Sequence, residues 1–132
     1  MTANWLIGEL CLSGRFAGKA IRSMKAPADA TVVMMPQPDN MKKISKSTSD
    51  NGGVHVNSGI PNYAFYLASM GIGTQNAAML WFEALKILTP KSKFKDLYTA
   101  LKKVTKPLVI TKKLPASTQT TLDAAFKKVG II

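Results

Sequence analysis

One segment carries residue types that could do chemistry together: Asp50-Asn51-Gly52-Gly53-Val54-His55, running on through Val56-Asn57-Ser58-Gly59-Ile60-Pro61-Asn62. An aspartate stands five residues before a histidine, with two glycines between them. Glycine enters left-handed backbone conformations at little cost, so the chain can turn tightly and fold the carboxylate back towards the imidazole. A carboxylate bonded to an imidazole fixes its tautomer and favours the protonated ring. A histidine held in this way can donate a hydrogen bond to a developing oxyanion. On the residues alone, a lone histidine capping the helix that follows is the competing reading. Metal chemistry is bounded more tightly. His55 and Cys11 are the one histidine and the one cysteine. Structural zinc sites use four Cys or His ligands and catalytic ones three protein ligands, so this chain alone supplies no conventional zinc site. A single cysteine also forms no intramolecular disulfide.

The elements that must position these residues fall into two stretches. Residues 1–50 read as an irregular segment, because Gly8, Gly14, Gly18, Pro27, Pro36 and Pro38 interrupt every periodic run. Within it Ala30 to Met35 reads as a short apolar strand or a buried extended segment, and Met41 to Asp50 as a polar surface loop. Residues 51–132 read as a cluster of four helices. Asn57 or Ser58 can cap the first, which tolerates Pro61 in its first turn and ends at Gly71. The second runs from about Thr74 to Leu88 and is apolar nearly all round, which suits the centre of a bundle. In the third, Phe94, Leu97, Leu101 and Val104 form an amphipathic stripe. The last begins near Ser117, packs Leu122, Ala125, Phe126 and Val129, and stops at Gly130. Lys106 to Pro115, with two prolines, reads as the loop before it. The expected fold is therefore mainly α: an irregular N-terminal third followed by a four-helix cluster.

The chain has 132 residues and a net charge of +11, with 46% hydrophobic residues. That hydrophobic share excludes a disordered chain, and the length suits one domain. No apolar run approaches the roughly 20 residues of a membrane span. Met1 to Leu12 has no basic residue and contains Glu9, which is not a secretory signal peptide. From Lys86 to Ile132 eleven lysines face only Asp96 and Asp123, a net of +9. Such a surface suits an acidic partner, or is simply a solvated lysine face. The excess is lysine rather than arginine and no aromatics are interleaved with it, which argues against nucleic acid.

The histidine segment resembles the DNGGVH…NSGI motif of thermolysin-like neutral metalloproteases, and Pro61-Asn62 with Ala64-Phe65-Tyr66-Leu67 resembles their protealysin branch. Trp5-Leu6-Ile7-Gly8-Glu9 is similar to the family's WxIGE segment, and Ile21-Arg22-Ser23-Met24 to its LRSM segment. Leu88-Thr89-Pro90-Lys91-Ser92-Lys93-Phe94 is similar to its LTPxSxF helix start. Ala124-Ala125-Phe126 with Val129-Gly130-Ile131 is similar to its closing helix. These matches occur in family order and cover nearly the whole chain. The resemblance implies that residues 1–132 are the C-terminal domain of such a protease. It implies that His55 stabilises the transition state, that Asp50 orients it, and that Arg22 binds a substrate carbonyl through its donor fork. Ile21 matches a position lining the pocket for the residue after the scissile bond; a packing role suits it equally.

The departures are as informative. In the family the H-E-x-x-H helix and a downstream glutamate hold zinc and precede the WxIGE segment, so the zinc-binding N-terminal domain is expected before Met1. The family's calcium sites use acids around that segment; here Asn4, Leu6 and Leu10 stand in those positions and only Glu9 remains. One carboxylate is too few for an ion that takes six to eight oxygens, so the calcium site is expected to be lost. The resemblance thus implies a zinc metalloendopeptidase acting on peptide or protein substrates, extracellular by family, with this chain inactive alone. The alternative is a non-catalytic basic helical module holding an acidic partner.

Overall fold

The structure is a computed structural model that describes residues 4–132. Met1–Ala3, part of the stretch read above as no signal peptide, lie outside the described residues. The chain divides into two units, Met1–Tyr66 and Leu67–Ile132.

In the first unit, β1 (Leu6–Ile7) pairs antiparallel with β2 (Arg22–Ser23), with Leu6 opposite Ser23 and Ile7 opposite Arg22. Ile21 N–H donates to the Ile7 carbonyl at 2.9 Å and Met24 N–H to the Trp5 carbonyl at 2.8 Å, closing the ribbon at both ends. Gly8, at φ +72°, lies under Ile21, whose Cδ1 would be 2.6 Å from any Cβ there. A side chain at this position would therefore be both strained and blocked. Past the ribbon, the chain is tied by single bonds rather than ladders. Ala20 and Val33 form one isolated parallel bridge, and both are fully buried. Of the strand or buried extended segment expected over Ala30–Met35 only that bridge remains, and Val33 alone of the six is buried. A 3₁₀ turn at Met41–Lys43 starts on Asn40, whose side chain accepts from Lys42 N–H at 2.9 Å.

Two helices follow: α1 (Asp50–Asn57) and α2 (Gly59–Ile72). The first is not helical at its start. Asp50, Asn51, Gly52 and Gly53 have φ of 55°, 50°, 86° and 73°, a run of left-handed residues. Asp, Asn and Gly are the types that enter this region most readily. Asn57 is buried and locks the turn, accepting from Ser45 N–H and donating to the Ser45 and Gly52 carbonyls at 2.8, 3.0 and 3.1 Å. The α2 helix carries Ile60, Ala64 and Ala68 on its buried side and ends before Gly73, at φ +84°. Trp5 meets Phe65 and Tyr66 edge-on, at ring separations of 6.2 and 5.1 Å.

The second unit packs α4 (Phe94–Ile110) against both α3 (Thr74–Leu85) and α5 (Thr118–Lys128), with Thr121 of α5 lying against Gly71 at the end of α2. Its core is Leu80, Leu101, Leu122, Phe126 and Val129, all fully buried. Phe126 lies between Tyr98 and Trp81, at ring separations of 5.2 and 6.0 Å. Tyr98 donates to the Asp123 carboxylate at 2.8 Å; burial, then that carboxylate, raises the Tyr98 phenol above its ordinary range.

Two expectations are corrected here. The α3 helix buries only Ala77, Leu80 and Ala84, while Phe82 and Leu85 are 61% and 64% exposed, so it is not a central helix. Its last turn tightens into i→i−3 bonds, from Ile87 N–H to Ala84 and from Leu88 N–H to Leu85. The loop expected at Lys106–Pro115 is instead helical as far as Ile110, because α4 runs through Pro107. Proline removes one backbone donor, but Leu114 is buried and its N–H, with that of Lys113, returns to the Leu108 carbonyl at 3.2 and 2.9 Å. The helix stops at Lys112, which takes φ +56° in place of the usual glycine. The expected fold class stands: an irregular N-terminal region leads into a mainly helical domain.

Candidate functional site

The left-handed turn at Asp50–Gly53 brings the aspartate back onto the first proper helical turn of α1. Ser49 anchors it, its carbonyl accepting from Gly52 and Gly53 N–H at 3.1 and 2.9 Å. The Asp50 carboxylate then takes two bonds from one residue: His55 N–H at 2.9 Å and His55 Nδ1 at 2.5 Å. Those bonds, the ring's first, hold the carboxyl below its ordinary range. An ionised acceptor at Nδ1 assigns the proton to that nitrogen and leaves Nε2 outward. No described residue bonds Nε2, and the imidazole side chain is 76% exposed. A ring tethered at one nitrogen and open at the other can donate to an anionic oxygen beside it when protonated.

Arg22 arrives from β2. Its Nη1 donates to the His55 carbonyl at 3.0 Å and to Ser58 Oγ at 2.5 Å. Ser58 Oγ in turn donates to the same carbonyl at 2.7 Å, and so does Gln37 Nε2. One carbonyl thus gathers an arginine, a hydroxyl and an amide, and ties two other chain segments, those of Arg22 and Gln37, to the histidine. Arg22 Nε and Nη2 are bonded by no described residue and stay open to a ligand.

Arg22 and His55 share an open depression of about 430 Å³, lined also by Ile7, Val54, Ser58 and Asn62. Ile21 is not among its lining residues. It folds over Gly8 and is 39% exposed. The apolar side chains of the depression are Ile7 and Val54, 48% and 50% exposed. Sequence reading brought Asp50, His55, Arg22 and Ile21 forward, named Asn57 and Ser58 only as candidate helix caps, and missed Gln37. Pro36 and Pro38 were a signal for Gln37, since proline on both sides pins a residue in extended backbone.

The donors do not make a metal centre. Among the described residues no group of three His, Cys, Asp or Glu side chains could hold an ion. Near Trp5, Asn4 Nδ2 donates to both oxygens of Glu9, at 2.9 and 2.7 Å, so an amide occupies the carboxylate at the position where the family's calcium ligands were expected.

A mainly helical domain bearing a carboxylate-held imidazole beside a guanidinium is a class that comparison with known proteins makes specific. Residues 1–131 match the profile "Thermolysin metallopeptidase, alpha-helical domain", and the chain belongs to that family. It superposes on the precursor of protealysin, a metalloproteinase from Serratia proteamaculans, with a TM-score of 0.80 and 33% identity, covering 98% of this chain and 42% of that one. It is 41% identical over 90 residues to an extracellular metalloprotease of Pectobacterium carotovorum, covering 63% of this chain and 26% of that protein. It is 49% identical over 75 residues to an extracellular minor metalloprotease of Serratia marcescens, covering 54% of this chain and 21% of that protein. The chain thus spans about a quarter of the length of these curated relatives. Family members are metalloproteases acting on peptides. No described helix is long and apolar enough to cross a membrane.

Proposed function

We propose that residues 1–132 form the substrate-side domain of a zinc endopeptidase, completed by a zinc-binding domain outside this sequence. The observation that carries this reading is the convergence of His55, held by Asp50, with Arg22 on one open depression. Arg22 Nη1 ties β2 to the His55 carbonyl and Ser58 Oγ, and that structural role leaves Nε and Nη2 unused by the fold. In this reading protonated His55 donates from Nε2 to the oxygen that gains charge as the peptide carbonyl becomes tetrahedral. Asp50 fixes the tautomer and the ring's orientation through its bond to Nδ1. Arg22, anchored through Nη1, offers Nε and Nη2 to a substrate backbone carbonyl. Ile7 and Val54 supply the apolar wall against which a substrate side chain packs. The calcium site near Trp5 is lost in this reading, because Asn4 Nδ2 already bonds both oxygens of the Glu9 carboxylate.

The test is to join a zinc-binding domain of the family ahead of this chain and assay peptide hydrolysis. Activity that appears only in the joined protein supports the reading, and Arg22→Ala should then raise KM more than it lowers kcat. A joined, folded and zinc-loaded protein without activity overturns it. A second reading, a basic module for an acidic partner, is favoured by the lysines of residues 86–132. Both aspartates there are engaged elsewhere, Asp96 by Lys93 N–H and Asp123 by Tyr98 and Gln119. Binding of polyglutamate that weakens steeply with salt would support that module.

A further inference from the structure

We propose that Gln37 is a positioning residue for His55, fixing its main chain so that the imidazole presents Nε2 in one direction. The inference rests on His55 being the oxyanion donor. Asp50 holds the peptide group before His55, through the His55 N–H, and also holds the ring. Gln37 helps to hold the peptide group after it, donating from Nε2 to the His55 carbonyl at 2.7 Å beside Arg22 Nη1 and Ser58 Oγ, which donate to the same oxygen. With both neighbouring peptides pinned, the Cα–Cβ direction of His55 is set, and the Asp50 bond then sets the ring.

The amide is itself fixed. Turning it over would set Oε1 against the carbonyl oxygen, so Nε2 must face His55. Its backbone N–H donates to the Pro27 carbonyl at 2.8 Å, and Pro36 and Pro38 flank it. Its Cβ crowds Gly59, where an added Cβ would lie 2.7 Å away. Stability does not account for such a residue. Gln37 Oε1 is buried and bonded by no described residue. The desolvation cost of an unpaired buried acceptor equals or exceeds the net return of one neutral hydrogen bond, so an apolar side chain of this shape would serve the fold as well. What an apolar side chain cannot do is tie the Pro36–Pro38 segment to the His55 carbonyl.

The test uses this chain as it stands and needs no activity, so it reads positioning separately from the catalytic assignment. Gln37→Met keeps length and removes the amide; Gln37→Glu keeps shape and, above the carboxyl's titration range, removes the donor. Hydrogen exchange is followed by NMR at the His55 amide and at the imidazole, unambiguous because the chain has one histidine. The expected result is exchange at the His55 amide faster by about fivefold to tenfold in both variants, because its bond to Asp50 opens more readily once the following peptide loses one neutral hydrogen bond. Amides of α5 should stay within about twofold of wild type, as for any change that does not loosen the whole fold. The melting temperature of Gln37→Met should be unchanged or raised. Unchanged exchange at His55, or an increase no larger than that in α5, overturns the proposal and leaves Gln37 as packing.

Discussion

Gly59 is the first residue of α2 and the point where that helix touches the segment carrying Gln37. An added Cβ would lie 2.6 Å from the Pro38 carbonyl oxygen, 2.7 Å from Gln37 Cβ and 3.3 Å from Pro27 Cβ. The first obstacle is backbone and the others are anchored by proline or by the backbone bond to Pro27, so no rotamer change relieves the clash. In Gly59→Ala the Pro36–Pro38 segment must retreat by several tenths of an ångström. Overpacking of this kind costs about 1–3 kcal/mol. Alanine returns up to about 1 kcal/mol in helix propensity, and less at a helix terminus than in its interior. The net is a loss of about 1 kcal/mol, or about 3–5 °C in melting temperature for a domain of this size. Urea unfolding at constant slope measures it. The retreat also lengthens the Gln37–His55 bond, so the His55 amide should exchange faster in the folded state. Gly52→Ala is the control. It has φ +86° with nothing within 4 Å, so it suffers backbone strain without crowding. A Gly59→Ala variant as stable as wild type, with unchanged exchange at His55, would refute the reasoning.

The Asp50 carboxyl is held below its unfolded value, so its stabilising bonds are fully present above about pH 4 and are lost as pH falls through the folded value; Asp50→Asn should remove that part of the acid limb in pH-dependent unfolding. Tyr98 moves oppositely: its phenol is raised, so its contribution is present up to about pH 10 and lost as pH rises through the folded value, which an absorbance titration of Tyr98→Phe against wild type checks. Phe126→Ala should destabilise the chain by about 3–5 kcal/mol, measured by urea unfolding. Millimolar calcium should leave the melting temperature unchanged, whereas Asn4→Asp, which gives Glu9 a second carboxylate, should create a response that magnesium does not reproduce.

The helices were legible where side chains repeat at 3.6-residue spacing and bury on one side, as with Leu122, Ala125, Phe126 and Val129. The end of α4 was not legible, because Pro107 punctuates a sequence without always ending a helix; the deciding force is the long-range burial of Leu114. The exposure of α3 was hidden for a related reason: an apolar composition does not say which side finds a partner. At the site, Asp50 and His55 could be paired from sequence because the geometry is local, within one turn that Gly52 and Gly53 permit. Arg22 came forward only through family resemblance, since 33 residues separate it from His55. Ser58 lies inside the resembling segment but reads only as a helix cap, and the prolines flanking Gln37 mark its backbone without its role. Their chemistry is contact with a main-chain carbonyl, and a main-chain carbonyl leaves no trace in a residue pattern.

The most direct measurement is the kcat of peptide hydrolysis by this chain joined to a zinc-binding domain of the family, with His55 and with His55→Ala. If His55 steadies the tetrahedral oxyanion, kcat falls by about 10²–10³ while KM changes by no more than about threefold. Equal kcat in the two proteins would contradict the account.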